Sequence, residues 1–208
     1  MLTVCAHPDD ESFGLGAVLS TLTDTGSRLS ALCFTHGEAS TLHGTPGELR
    51  SIRAAELKAA GAALGVTHLE LLDYPDGDLN AQPIDELADH VTRVAHTVDP
   101  SMLLVFDHGG ITGHPDHQHA TDAALSAAST IGIPVLAWAI PDKVARLLNT
   151  ELATTFAGRG DDEIDITITV DRTRQLAAIR CHHSQSADNP VLWRRLELLG
   201  PAEHLRYL

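Results

Sequence analysis

Short apolar runs alternate along the chain with longer stretches whose apolar positions recur every third or fourth residue, the signature of buried strands alternating with amphipathic helices. The pattern predicts strands over residues 2–6, 29–35, 68–73, 102–106 and 133–140. Between them it predicts helices over 12–25, 48–64, 84–98 and 114–128. Ser12 is the candidate N-cap of the first helix and Gly26 its stop; Gly65 closes the second, and Pro83 and Pro100 bracket the third. The second is the clearest, with Leu49, Leu57, Ala60 and Leu64 on one face. Past residue 140 the chain predicts a helix over 141–153, an alternating strand over 163–170, and a helix over 172–183. Trp193, Leu196, Leu198 and Leu199 lie in a tail helix packed back on the body.

Strand-helix alternation of this kind implies an α/β fold, a Rossmann-like, mostly parallel sheet flanked by helices, and no linker divides residues 1–208 into more than a single domain. In doubly wound sheets the strand order reverses between the first and fourth strands, and ligands bind outside the carboxyl ends at that reversal. The polar stretch 35–47 and the loop 107–113 follow the second and fourth strands at that end. Long loops there usually carry function.

Composition adds exclusions. Lys+Arg 14 against Asp+Glu 28 gives a net charge of −14, which repels nucleic acid and anionic membranes alike. Three cysteines, Cys5, Cys33 and Cys181, suit free thiols in a reducing compartment better than a disulfide frame. No basic leader precedes the first strand, and no apolar run approaches the roughly 20 residues of a membrane span. A cytoplasmic location is expected, and the oligomeric state stays open, a homo-oligomer included.

Candidate chemistry sits at two strand-to-helix corners, Ala6-His7-Pro8-Asp9-Asp10-Glu11 and Gly113-His114-Pro115-Asp116-His117. Alone, either corner is equally well explained as a capped turn. Together, after strands expected to be neighbours, they point to a metal. His7 and Asp10 can converge on one ion and His117 supply a third ligand; two imidazoles and a carboxylate with one open position are typical of catalytic zinc. Asp9 is then the candidate general base, and His114 the group that steadies an oxyanion or protonates a leaving amine. Asp116 is expected to orient an imidazole. His119 is expected to turn away from the site, and His36, His43 and His108 to be surface histidines. Gly14-Leu15-Gly16 matches only part of a dinucleotide fingerprint and lies within the expected helix, so its glycines are assigned to close helix–sheet approach.

The two corners, with Thr35-His36-Gly37-Glu38-Ala39, Tyr74-Pro75-Asp76-Gly77 and residues 179–185, resemble the LmbE-like, PIG-L-type N-acetylglucosaminyl deacetylases. The resemblance implies a zinc-dependent hydrolase, one Zn2+ per chain with other divalent metals admissible, that removes an acyl group, most simply acetyl, from the amine of a small-molecule amino-sugar conjugate. It assigns His7, Asp10 and His117 to the metal, Asp9 to the base, and Arg53 and Asp76 to the sugar; His182 falls in a segment it favours as lining the site. Thr112 stands where some members carry a mobile Tyr. A metal-dependent phosphoesterase and a non-catalytic sugar-conjugate binding module are the alternatives; the first needs a second carboxylate cluster that the sequence lacks.

Overall fold

The computed structural model describes residues 1–42 and 46–208, so His43 lies outside the described residues. In chain order the elements are β1 (Leu2–Cys5), α1 (Asp10–Phe13), α2 (Gly16–Asp24), β2 (Leu29–Thr35), α3 (Pro46–Leu64), β3 (Val66–Tyr74), α4 (Ile84–Val98) and β4 (Leu103–Phe106). They continue with α5 (Gly110–Gly113), α6 (Pro115–Ile131), β5 (Val135–Pro141), α7 (Asp142–Leu152), β6 (Gly158–Arg159), β7 (Ile166–Thr169), α8 (Thr173–Cys181), α9 (His183–Ser186), α10 (Pro190–Leu199) and β8 (Ala202–Tyr207).

The sheet order is β3-β2-β1-β4-β5-β8-β7, with β6 paired to β5. From β3 to β5 every pairing is parallel, so the expected 3-2-1-4-5 order holds and β1 lies beside β4. Alternation along β1 sends Leu2 and Val4 into a core under α4 and α6, which contribute Leu87, Val91, Val94 and Ala124. Cys5 faces the opposite core with Leu19, Leu57, Trp138 and Leu148. Helices therefore cover both faces, and the crevice opens at the carboxyl ends of β1 and β4, where the two corners lie. Cys5, Cys33 and Cys181 are free thiols. No helix among the described residues is long and apolar enough to cross a membrane.

Several local expectations are corrected. The stretch expected as one helix over 12–25 is two, α1 and α2, broken at Gly14 and Leu15. Ser12 is not an N-cap; it is buried within α1 and donates to Glu11 Oε1 at 2.5 Å. The helix expected over 172–183 ends at Cys181, and His182 starts a separate turn. β6 and β8 were not anticipated. β8 runs antiparallel between β5 and β7, and its inward positions include Glu203, fully buried against Trp138 Nε1 (2.6 Å) and Arg172. A strand that turns a carboxylate inward does not display the apolar alternation by which strands are recognised.

Gly14 does serve close approach. A Cβ there would stand 2.4 Å from Phe106 Cε1 and 3.0 Å from Trp138 Cζ3. Since both rings are pinned in the core, Gly14→Ala is expected to destabilise the fold by about 1–3 kcal/mol, the usual cost of overpacking, measured as a lower urea midpoint with unchanged slope.

Candidate active site

The first corner turns sharply because Asp9 adopts φ 113°, ψ −26°, left-handed backbone that a non-glycine residue rarely holds. Two contacts oppose that strain. The Asp9 amide donates to Glu11 Oε2 at 2.9 Å, and Arg53 Nη2 donates to Asp9 Oδ2 at 2.9 Å. Arg53 reaches over from α3, also bonding Pro8 O and Gly37 O. The close approach needs glycine at 37: a Cβ there would lie 2.1 Å from the guanidinium, and its φ is +64°.

Asp10 turns the other way. Its Oδ2 accepts the amides of Ala6 (3.0 Å) and His7 (2.9 Å), which fixes the carboxylate and leaves Oδ1 3.1 Å from His117 Nε2. His7 Nδ1 is 3.1 Å from the same His117 nitrogen and 3.8 Å from Asp10 Oδ2. Donor atoms around a tetrahedral zinc stand about 3.3 Å apart, so this spacing fits one ion held by His7, Asp10 and His117. His117 reaches the group from the first turn of α6 and is flanked by the Phe106 ring, edge-on at 4.9 Å.

Neighbouring carboxylates set the orientation of His7. Its Nε2 donates toward Asp76 Oδ1 (3.1 Å) and Asp116 Oδ2 (3.3 Å), which presents Nδ1 to the metal position. Asp116 is itself fully buried and accepts the amides of Gly77 (2.8 Å) and Leu79 (3.1 Å). Burial alone would lower the His7 pKa, but Asp116, Asp76 and Asp10 outweigh it and raise it to about 10. Burial likewise works against ionised Asp10, and the His117 and His7 rings overcome it, holding the carboxyl below its ordinary range. A cation is wanted at this point. A second donor group, His7, His114 and Asp116, reuses His7, so the described residues offer no independent second metal position of the kind a two-metal phosphoesterase needs.

Asp9 faces different conditions. Burial raises its pKa, Arg53 opposes and Asp10 adds to the rise, leaving it at about 6, near the working range of a general base. His114 is the N-cap of α6, and its Nδ1 accepts the Asp116 amide at 3.2 Å. That bond leaves the ring proton on Nε2 of the neutral tautomer. Burial, then the adjacent His117 and His7, lower the His114 pKa, so the neutral donor is the favoured form.

These groups share one cavity of about 610 Å³, which His7, Asp9, Asp10, Asp76, His114 and His117 line from the sheet side. Arg53 and Thr112 also reach it. His182 does not: it is 0% exposed, and its Nε2 lies 2.6 Å from Glu11 Oε1. The expectation of a site-lining His182 is thus corrected to a buried partner of the carboxylate that holds the Asp9 amide. Sequence reasoning missed Glu11, although it completes the first motif. Asp76, expected at the sugar, lines the cavity and also bonds His7 (3.1 Å) and the Ala39 amide (2.7 Å). His119 turns to Gln82 O, His36 to Asp73 and Arg50 O, and His108 to Asp122, each away from the metal group.

Residues 2–128 match the family described as PIG-L, GlcNAc-PI de-N-acetylase. The chain belongs to the PIG-L family. A 1D-myo-inositol 2-acetamido-2-deoxy-alpha-D-glucopyranoside deacetylase from Kineococcus radiotolerans is 30% identical, over 99% of this chain and 76% of the relative. Among solved structures, N,N'-diacetylchitobiose deacetylase from Pyrococcus horikoshii superposes with a TM-score of 0.73 at 23% identity, over 100% of this chain and 82% of that one. GalB, the 4-carboxy-2-hydroxymuconate hydratase from Pseudomonas putida, superposes with a TM-score of 0.71 at 19% identity, over 100% and 95%. The PIG-L fold therefore houses more than one reaction, and the site has to choose between them.

Proposed function

We propose that this PIG-L protein is a zinc-dependent deacetylase that hydrolyses the amide of an N-acyl amino-sugar conjugate. The observation that carries the reading is the convergence of His7 Nδ1, Asp10 Oδ1 and His117 Nε2 beside Asp9, whose backbone is strained and whose pKa is raised to about 6. His7, Asp10 and His117 would hold the ion. When bound, it supplies Lewis-acid polarisation of the amide carbonyl and acidity for a water molecule.

The protein's own residues do the rest. Asp9 takes a proton from water as its oxygen adds to the carbonyl carbon. The Nε2–H of neutral His114 is the available donor for the negative charge that develops on the carbonyl oxygen. The carbon–nitrogen bond then breaks, and the proton on Asp9 passes to the departing amine, leaving a carboxylic acid and a free amino sugar. Arg53 keeps the Asp9 carboxylate aimed throughout, while Asp116 and Asp76 keep His7 in its tautomer. Free thiols at Cys5, Cys33 and Cys181 suit the cytoplasm.

The test is amine release from N-acetylglucosaminides by the zinc-loaded protein, with metal content measured alongside. One ion per chain is expected, with amine release abolished by chelator and restored by zinc. Amine release that persists after the metal is stripped contradicts the reading.

A further inference from the structure

We infer, on the basis of the deacetylase reading, that the substrate is a neutral N-acyl amino-sugar conjugate carrying an apolar group, and that conjugates with an anionic aglycone are poor substrates. The inference starts from the part of the cavity that the metal group leaves over. At the roughly 30 Å³ that liquid water takes per non-hydrogen atom, an upper figure, the roughly 15 such atoms of N-acetylglucosamine fill less than about 450 Å³. The cavity of about 610 Å³ exceeds that, so a second moiety has room beside the sugar.

The remaining wall is hydrophobic. Phe13, Leu42, Ile111, Phe156, Val191 and Leu192 line it, from segments far apart in the sequence. Besides Thr41 and Thr112, the polar side chains among them are spent on the protein itself. Ser40 Oγ donates to Gln185 Oε1 (2.7 Å), Gln185 Nε2 to Ser184 O (3.0 Å), and Asn189 joins Gln185 O (3.0 Å) to the Leu192 amide (3.0 Å). They frame the wall and hold α10 against it.

The cations here are few and buried. Arg53 and Arg195 are the only arginine or lysine residues among the described lining residues, and they are 3% and 8% exposed. Arg53 is held by Pro8 O, Gly37 O and Asp9, and Arg195 donates to Phe13 O (2.8 Å) while its guanidinium covers the Trp138 ring at 5.2 Å. Arg53 Nε and Arg195 Nε have no hydrogen-bond partner, but both are buried, so a carboxylate or phosphate on the substrate would meet no exposed guanidinium or ammonium group on that wall, while Asp76 and Asp9 repel it and the chain as a whole carries −14. An aryl or alkyl group would instead displace water from the wall.

The experiment measures kcat/KM of the zinc-loaded protein on N-acetylglucosaminides with methyl, phenyl, octyl, inositol and carboxymethyl aglycones, and on methyl N-octanoylglucosaminide. The phenyl or octyl arm is expected to exceed methyl by about tenfold or more, chiefly through KM, as hydrophobic pockets commonly discriminate. The carboxymethyl arm is expected at or below methyl. Preference for the N-octanoyl arm instead supports the inference and assigns the apolar group to the acyl side. A carboxymethyl arm faster than methyl, or no apolar arm above methyl, overturns the inference while leaving a working deacetylase; no amine from any arm overturns the deacetylase reading itself. In Val191→Lys the gap between phenyl and carboxymethyl arms narrows, and an unchanged gap removes α10 from the recognition surface.

Discussion

Asp9→Asn lowers kcat by about 10²–10⁴-fold, the range a positioned general base contributes, and leaves metal content at the wild-type level. The two halves of this result have separate causes. Asparagine keeps an oxygen for the Arg53 guanidinium and tolerates left-handed backbone at φ 113°, so the corner retains its shape. The metal ligands converge on the other side of the turn, where Asp10 is fixed by the Ala6 and His7 amides rather than by Asp9. What the amide cannot do is accept a proton from water. The pH profile supplies an independent check. Asp9, raised to about 6 by burial against the pull of Arg53, has to be ionised to act, so activity falls as pH drops through its pKa. A bound cation favours the carboxylate and shifts that limb to about pH 6 or below. The limb is expected to vanish from the residual rate of Asp9→Asn. A variant with wild-type kcat would remove Asp9 from the base role.

The chemistry-bearing corners were legible in the sequence because each consists of local signals: an apolar strand, a Pro-containing turn and a helix start, within a handful of residues. Their meeting was legible too, since right-handed crossovers restrict where the fourth strand can go, and β4 does lie beside β1. What could not be read were long-range polar contacts. Nothing in the spacing says that Arg53 bridges Asp9, that Asp76 shares His7 with Asp116, or that His182 is buried on Glu11. The same limit hid β8, where Glu203 is satisfied by Arg172, some thirty residues earlier, and by Trp138. Hydrophobic patterning registers apolar burial; it is blind to a buried charge whose partner lies elsewhere in the chain. The apolar cavity wall was invisible for a related reason. Phe13, Phe156 and Val191 read individually as ordinary core residues, and only the fold assembles them around a void.

His117→Ala is expected to release the metal, and the comparison that gives this result meaning is Asp116→Asn. Asp116 touches the ion position only through His7 Nε2, at 3.3 Å, and Asp76 remains to orient the ring when it is neutralised. Loss of such an outer carboxylate typically costs 10–100-fold in metal affinity, and about that is expected here. His117 Nε2 stands 3.1 Å from both His7 Nδ1 and Asp10 Oδ1, so its removal deletes one of three donor atoms rather than the aim of one. The loss of affinity should therefore exceed 100-fold by a clear margin, with turnover falling in parallel unless zinc is supplied in large excess. Competition against a chromophoric chelator measures both variants on one scale. Circular dichroism and urea midpoints separate metal loss from unfolding, because the corner's backbone is held by Asp10 and Glu11, which neither substitution touches. If His117→Ala kept wild-type affinity while Asp116→Asn lost it, the ion would belong with His7, His114 and Asp116 instead, and Asp9 would no longer flank the ligands. The ordering of these two affinities thus decides which of the two donor groups around His7 is the metal centre.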